Sequence, residues 1–357
     1  MSGDLDLEQR YRRVLRLLPG YYRDKWEEDM VAAFLDSWMT GDPDEDSVTM
    51  EFDRPSWQEV ASVAALATRL YLGAAGTPRR YFAWGQALRG AVLVVLLIHA
   101  AAGLDGVVSV FVSGNGRRPV PAPPATMAGL PGTVWPATVW YAVGYVWIVI
   151  FVALVLGHYR VARVAAVLAI VPALVWLLRG QLTGSLLSPF ASWSYWFLLD
   201  LTPVLAMAAF HRDAPPPARS PWLLAVPGYY LIVLAPLLAA KLTDHFAWVP
   251  DTPGLGCILV ALLCLAHVPR AWSGRAGTGV WSLTLALLAA VAGLYRIISL
   301  GDYRQDPHLI YYLQGPHLID VGLGELLILA AAVALVVPDA IRAQAALPSP
   351  PPHPQLG

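Results

Sequence analysis

Cysteine is almost absent from this 357-residue sequence: the two present, Cys257 and Cys264, lie in one apolar segment. At the helical rise of 1.5 Å per residue they share a face but stand about 10 Å apart, too far for a disulfide, so they read as small buried apolar side chains. Charge is scarce as well: Asp, Glu, Lys and Arg make up 14% of the chain, against about 25% in an ordinary soluble domain. Three motifs are missing altogether. Without a Gly-x-x-x-x-Gly-Lys-Ser/Thr phosphate loop, a His-Glu-x-x-His pair or a Gly-x-Ser-x-Gly elbow, an ATPase and the common metalloproteases and hydrolases are disfavoured. No signal peptide is expected, because the first long apolar run begins near Gly90, behind a charged segment too long for an n-region.

What is present is hydrophobicity, unevenly distributed. Hydrophobic residues make up 57% of the chain and the mean hydropathy is +0.54, which reads as a polytopic membrane protein. Residues 1–60 hold 15 Asp and Glu against 7 Lys and Arg, net −8, and residues 61–357 hold 10 against 17, net +7. The expected organisation is an all-helical chain with a cytoplasmic three-helix N-terminal module (1–78), a transmembrane domain (79–340) and a disordered Pro-rich cytoplasmic tail (341–357).

In the module, Tyr11, Val14, Leu15 and Leu18 recur at helical spacing and Pro19-Gly20 ends the pattern. Tyr22, Trp26, Met30, Ala33, Phe34 and Trp38 mark a second apolar stripe. Residues 41–55 are acidic with two prolines, which suits a solvated loop. Ser56 and Glu59 have capping-box spacing and open a third helix with Val60, Val63, Ala64, Ala67 and Tyr71 on one face. So small a core is expected to lean on the membrane domain or a partner.

Eight spans are predicted, at 84–104, 134–157, 161–178, 194–210, 221–240, 254–269, 279–298 and 318–337. With the N-terminus inside, 18 Lys and Arg face the cytoplasm and 6 face out, so N-in, C-in obeys the positive-inside rule. The short loops alone divide 7 to 6, and the orientation rests on the charge ahead of the first span. A parallel four-plus-four repeat (82–210 and 221–338) would explain why His158 and His267 fall at equivalent span ends. It would also match Arg179 with Arg296 and Asp200 with Asp320.

Ionisable residues at membrane depth are costly and are therefore candidates for a site. The set is Arg179, Asp200, Arg296, Asp320 and Glu325, with Arg179 to Asp200 and Arg296 to Asp320 the simplest pairings and Glu325 the deepest. His308 and His317 sit in two Pro-His-Leu-Ile repeats near Asp306 and Asp320 and are weak metal candidates; the segment reads more simply as interfacial. His99 reads as a hydrogen-bond partner between helices. No cofactor and no nucleic-acid partner is expected.

The module carries a resemblance. Tyr11, Leu15, Leu18, Pro19, Tyr22, Arg23, Glu27 and Glu28, in RYRRVLRLLPGYYR followed by WEEDMVAAFLD and then SWQEVASVAALATRLYLG, resemble the permease-prefix or HAAS-type helical domain at the N-terminus of many actinobacterial integral membrane proteins. The resemblance covers about 75 residues and implies roles associated with signalling or transport. The expected function is that of a non-enzymatic multi-pass protein of the cell membrane. Its module would use Tyr22, Trp26, Phe34 and Trp38 to couple the bilayer domain to a cytoplasmic protein or to membrane complex subunits, in regulation or assembly. The alternatives are a secondary transporter or permease subunit using the in-membrane acidic residues, and a membrane-embedded enzyme.

Overall fold

The computed structural model describes residues 7–38, 54–74, 77–112, 137–182, 200–211, 216–229, 231, 252–273, 278–305 and 318–345. All regular structure among them is helical: α1 (Leu7–Leu15), α2 (Gly20–Trp38), α3 (Trp57–Tyr71), α4 (Arg79–Val112), α5 (Ala137–Val155), α6 (Tyr159–Leu182), α7 (Asp200–Ala209), α8 (219–229), α9 (Thr252–Trp272), α10 (Thr278–Gln305) and α11 (Leu318–Ala345). Four of these contain segments long and apolar enough to cross a membrane: Arg79–Ala101, Gly254–Trp272, Gly279–Gly301 and Ile319–Arg342. They coincide with the predicted first, sixth, seventh and eighth spans. The acidic loop 41–53, the 306–317 segment and residues 346–357 lie outside the described residues.

Two boundaries differ from the sequence reading. Helix α9 runs past Pro269 to Trp272, and α11 runs past Pro338 to Ala345, so the tail begins later than residue 341. Proline removes one backbone donor but leaves its own carbonyl available. The Ser273 N–H donates to the Pro269 carbonyl (3.2 Å) and Arg342 Nε donates to that of Pro338 (3.2 Å), so both helix ends remain paired.

The chain divides into two compact units, one centred on Met1–Gly85 and one made of Gln86–Phe210 and Pro215–Leu347. In the first, Leu7, Tyr11, Leu15 and Leu18 meet Val31 and Phe34 of α2 and Val63, Ala67 and Leu70 of α3. Tyr71, expected on the buried face of α3, is exposed, because Leu70 takes the inward position. Pro19 opens α2, its carbonyl accepting from the Tyr22 and Arg23 N–H groups. The capping box forms: the Glu59 N–H donates to Ser56 Oγ (3.2 Å) and the Ser56 N–H to Glu59 Oε2 (2.7 Å). The other Glu59 oxygen accepts from Trp38 Nε1 (3.2 Å), joining α2 to α3.

Helix α3 ends in a left-handed residue, Gly73 at φ +81°, with the Ala74 N–H donating to the Arg69 carbonyl (3.0 Å). This is a six-to-one closure, for which glycine is the favoured residue. A Cβ on Gly73 would lie 2.8 Å from the Phe82 Cα, and one on Gly85 would overlap the Leu72 carbonyl. Bare glycines thus seat the end of α3 on the first turns of α4.

In the second unit α4 has two packed faces. Val92, Leu93, Leu96, Leu97 and Ala100 pack with Trp147, Ile150, Phe151 and Leu154 of α5, Ala162 and Ala166 of α6, and Met207 and Phe210 at the end of α7. Ala91 and Val94 pack with α9, α10 and α11. Gly90 lets α10 approach closely: Thr284 Oγ1 reaches the Ala87 carbonyl at 3.3 Å, and a Cβ at Gly90 would lie 3.0 Å from Thr284 Cγ2. Small residues of this kind are how membrane helices gain contact where no hydrophobic drive separates helix from lipid.

Candidate functional site

Helices α9, α10 and α11 pack on one another around Cys257, Val260, Ala261, Cys264, Leu285, Leu288, Ala289, Leu329, Ala332 and Val336, an apolar core. Both cysteines are buried there and form no disulfide, as their spacing predicts. At either end of this core is a layer of polar side chains.

The first layer is an ion pair. Arg296 Nη2 of α10 lies 2.7 Å from Glu325 Oε2 of α11, with the two side chains 0% and 5% exposed. The partner expected from sequence, Asp320, is exposed in the first turn of α11, where the positive end of the helix dipole favours a carboxylate. Helix rotation decides between them. Gly322, Glu325, Leu329, Ala332 and Val336 form one buried stripe at helical spacing, and Asp320 is off it. Gly322 makes the room, since a Cβ there would lie 2.8 Å from Arg296 Nη2 and 2.9 Å from Nε.

The second layer draws on three helices. Ser282 Oγ of α10 donates to Asp339 Oδ2 of α11 at 2.7 Å, and His267 Nε2 of α9 lies 3.0 Å from Ser282 Oγ. Because the hydroxyl has one proton and gives it to Asp339, it accepts from His267, which therefore carries hydrogen on Nε2. Serine sits between the acid and the base, and a catalytic triad needs the histidine there. Ser282 is also fully buried. The arrangement ties helices and does not make a nucleophile. Arg270 and Arg342 close the same helix ends by donating to the Ala266 (3.3 Å) and Pro338 (3.2 Å) carbonyls.

The two layers share a register. Ser282 and Arg296 are 14 residues apart on α10, as are Glu325 and Asp339 on α11, which is nearly four helical turns or about 21 Å. Sequence reasoning flagged His267 only for the repeat and missed Ser282, Asp339 and Gly322. The signal available was this paired spacing.

The remaining candidates separate. Asp200 begins α7, and the side chain of Arg179 lies outside the described residues, as do His308 and His317. His158 closes the turn after Gly157 (φ +87°), its N–H donating to the Ala153 carbonyl (2.8 Å), whereas His267 is within a helix, so the two occupy unlike positions. His99 stacks on Trp147, with centroids 4.6 Å apart, and so joins α4 to α5 through its ring.

In the module, the aromatic stripe read as a surface for partners mostly faces inward. Phe34 is 5% exposed and stacks on Tyr11 at 3.9 Å; Tyr22 and Trp38 pack against the same core, and only Trp26 is exposed. Alternating charged and aromatic residues look alike whether the stripe meets a partner or the helix beside it. Trp57 is the most open large hydrophobic side chain among the described residues, at 81%. Arg12, not singled out from sequence, holds α1 to α2: it donates to Glu8 (2.7 Å) and to both oxygens of Glu28 (2.8 Å each), with Glu27 at 3.6 Å. The guanidinium holds the Glu28 carboxyl below its usual range.

Comparison with family models, with curated proteins and with solved structures finds no match.

Proposed function

We infer that this is a non-enzymatic multi-pass protein of the cell membrane whose N-terminal module couples the bilayer domain to a cytoplasmic partner, in regulation or complex assembly. The observation that carries this reading is the seam at Gly73 and Gly85, where a module with its own core is seated on the first turns of the first span. The solid core of α9, α10 and α11, bolted by polar side chains at both ends, suits a frame. The reading includes eight spans, both termini inside, the permease-prefix resemblance of the module, and a four-plus-four repeat matching Arg179 with Arg296 and Asp200 with Asp320. The exposed Trp26 and Trp57 replace the inward-facing Phe34 as the contact residues. A photoreactive residue at 26 or 57 in the full chain, expressed in its own cells, should yield one defined cytoplasmic crosslink. Crosslinks spread over abundant proteins would sink the idea.

The buried Arg296–Glu325 pair favours a second reading, a secondary transporter, since ionisable residues at membrane depth commonly line ion pathways. Proteoliposomes separate the two. A solute or proton flux that survives in wild type and disappears in Glu325→Gln, with folding intact, selects transport.

A further inference from the structure

Where the module meets α4, three tyrosines converge. The Tyr81 ring centroid is 5.3 Å from that of Tyr21 and 5.7 Å from that of Tyr71. The Arg80 guanidinium lies over the Tyr81 ring at 4.7 Å and donates to its hydroxyl at 3.0 Å. The Tyr21 hydroxyl is buried and finds no hydrogen-bond partner among the described residues, and the same holds for Arg23 Nε. Burial first, then the neighbouring tyrosines, pushes the Tyr21 phenol up to about 12, so near neutral pH it remains an O–H donor. Buried donors without acceptors are uncommon in folded proteins, and each one asks for an explanation.

The surroundings say what kind of acceptor fits. Each tyrosine has an arginine within two residues: Arg23 beside Tyr21, Arg69 beside Tyr71, and Arg79 and Arg80 beside Tyr81. From Val60 to Leu104 the sequence contains no Asp or Glu. Arg69, Arg79 and Arg80 are exposed, and so are Phe82 (40%) and Trp84 (42%), one turn further along α4. The candidate span begins at Arg79, so these aromatics fall at headgroup depth, where such rings anchor.

We propose that Tyr21, Arg80 and Arg79 form a binding site for the phosphate of an anionic phospholipid on the cytoplasmic leaflet. The Tyr21 hydroxyl and the arginine N–H groups would donate to its oxygens, and Phe82 and Trp84 would lie along the acyl chains. Arginine matches phosphate geometry through paired N–H donors. The apolar rings on the span select a lipid over a free anion. The inference rests on α4 as the first span and not on the module's protein partner, so a failed crosslink leaves it standing.

The test uses the full chain in detergent, with native mass spectrometry after equal doping with phosphatidylglycerol and phosphatidylcholine. Wild type should retain phosphatidylglycerol preferentially, and Tyr21→Phe and Arg80→Gln should each reduce the retained fraction by about tenfold or more, as the loss of a donor to a charged acceptor entails. The thermal midpoint without lipid should be unchanged. If Tyr21→Phe lowers that midpoint, the exposed pair Arg79→Gln and Arg80→Gln decides on its own. Equal retention of the two lipids, or retention unaffected by the variants, overturns the proposal. So does displacement of the lipid by inorganic phosphate at matched concentration, which would mark a site for the free anion.

Discussion

Arg296 and Glu325, from neighbouring spans, meet at 2.7 Å with both side chains out of contact with solvent. Removing one member of such a pair strands the other charge, at a cost of about 3–5 kcal/mol. Arg296→Gln and Glu325→Gln should each lower the thermal midpoint in detergent, and the double variant should cost less than the sum of the singles. Asp320→Asn, at an exposed position, should stay within about 0.5 kcal/mol of wild type. If instead Asp320→Asn proves the most damaging of the three, the pairing is misassigned.

Gly322 should tolerate no side chain. Alanine there places a methyl group against the guanidinium and Leu300, and overpacking of that kind costs about 1–3 kcal/mol. Combined with Arg296→Ala, which vacates the space, the penalty of Gly322→Ala should shrink. A differential scanning series on the four proteins reads this directly.

The second layer predicts an order among substitutions. Ser282→Ala leaves Asp339 and His267 without their shared partner, costing about 1–3 kcal/mol. Asp339→Asn keeps an acceptor for the Ser282 hydroxyl and should be milder than Asp339→Ala. Chemical-denaturation midpoints in mixed micelles would show the ranking; equal losses from Asn and Ala would contradict it.

The α1–α2 clamp gives the module an acid-sensitive stability. The Glu28 pKa is depressed in the fold by its hydrogen bonds to Arg12. Its contribution is therefore complete above the ordinary value of 4.5 and is lost as pH falls through the lower folded value. Wild type and Arg12→Gln should differ at pH 7 and converge on acidification. The difference should also narrow with added salt, because the pair is exposed. Melting followed at several pH values in the full chain tests this, and a gap that widens on acidification would contradict it.

Gly73→Ala should destabilise twice over, by forcing a left-handed backbone on a residue with a Cβ and by driving that Cβ into Phe82. Gly20→Ala, with open space around it, is the matched control. Limited proteolysis between α3 and α4 should accelerate in the first and not in the second.

Much of the architecture was legible because hydropathy reports on the bilayer residue by residue. Four predicted spans fall on four long apolar helices, and the capping box at Ser56 and Glu59 is a local chemical signal that needs no tertiary information. What failed were judgements that depend on rotation. Whether Arg296 meets Asp320 or Glu325 turns on five residues of helix, and the stripe through Gly322, Leu329 and Val336 favours Glu325 where proximity in sequence favours Asp320. The inward position of Phe34 is hidden in the sequence for a related reason, since its stacking partner Tyr11 lies 23 positions away. The tyrosines at 21, 71 and 81 converge only once α3 has turned at Gly73, and nothing in their spacing announces it.

The pairing across α10 and α11 also bears on how the chain is made. Presented singly to the translocon, an unpaired Arg296 or Glu325 would oppose insertion, since a lone ionisable side chain within a span is costly in hydrocarbon. Entering together as a hairpin, they neutralise one another before either meets lipid. Helices α10 and α11 are therefore expected to insert as one hairpin, and a ribosome stalled after α10 should leave that helix waiting at the membrane surface until α11 arrives.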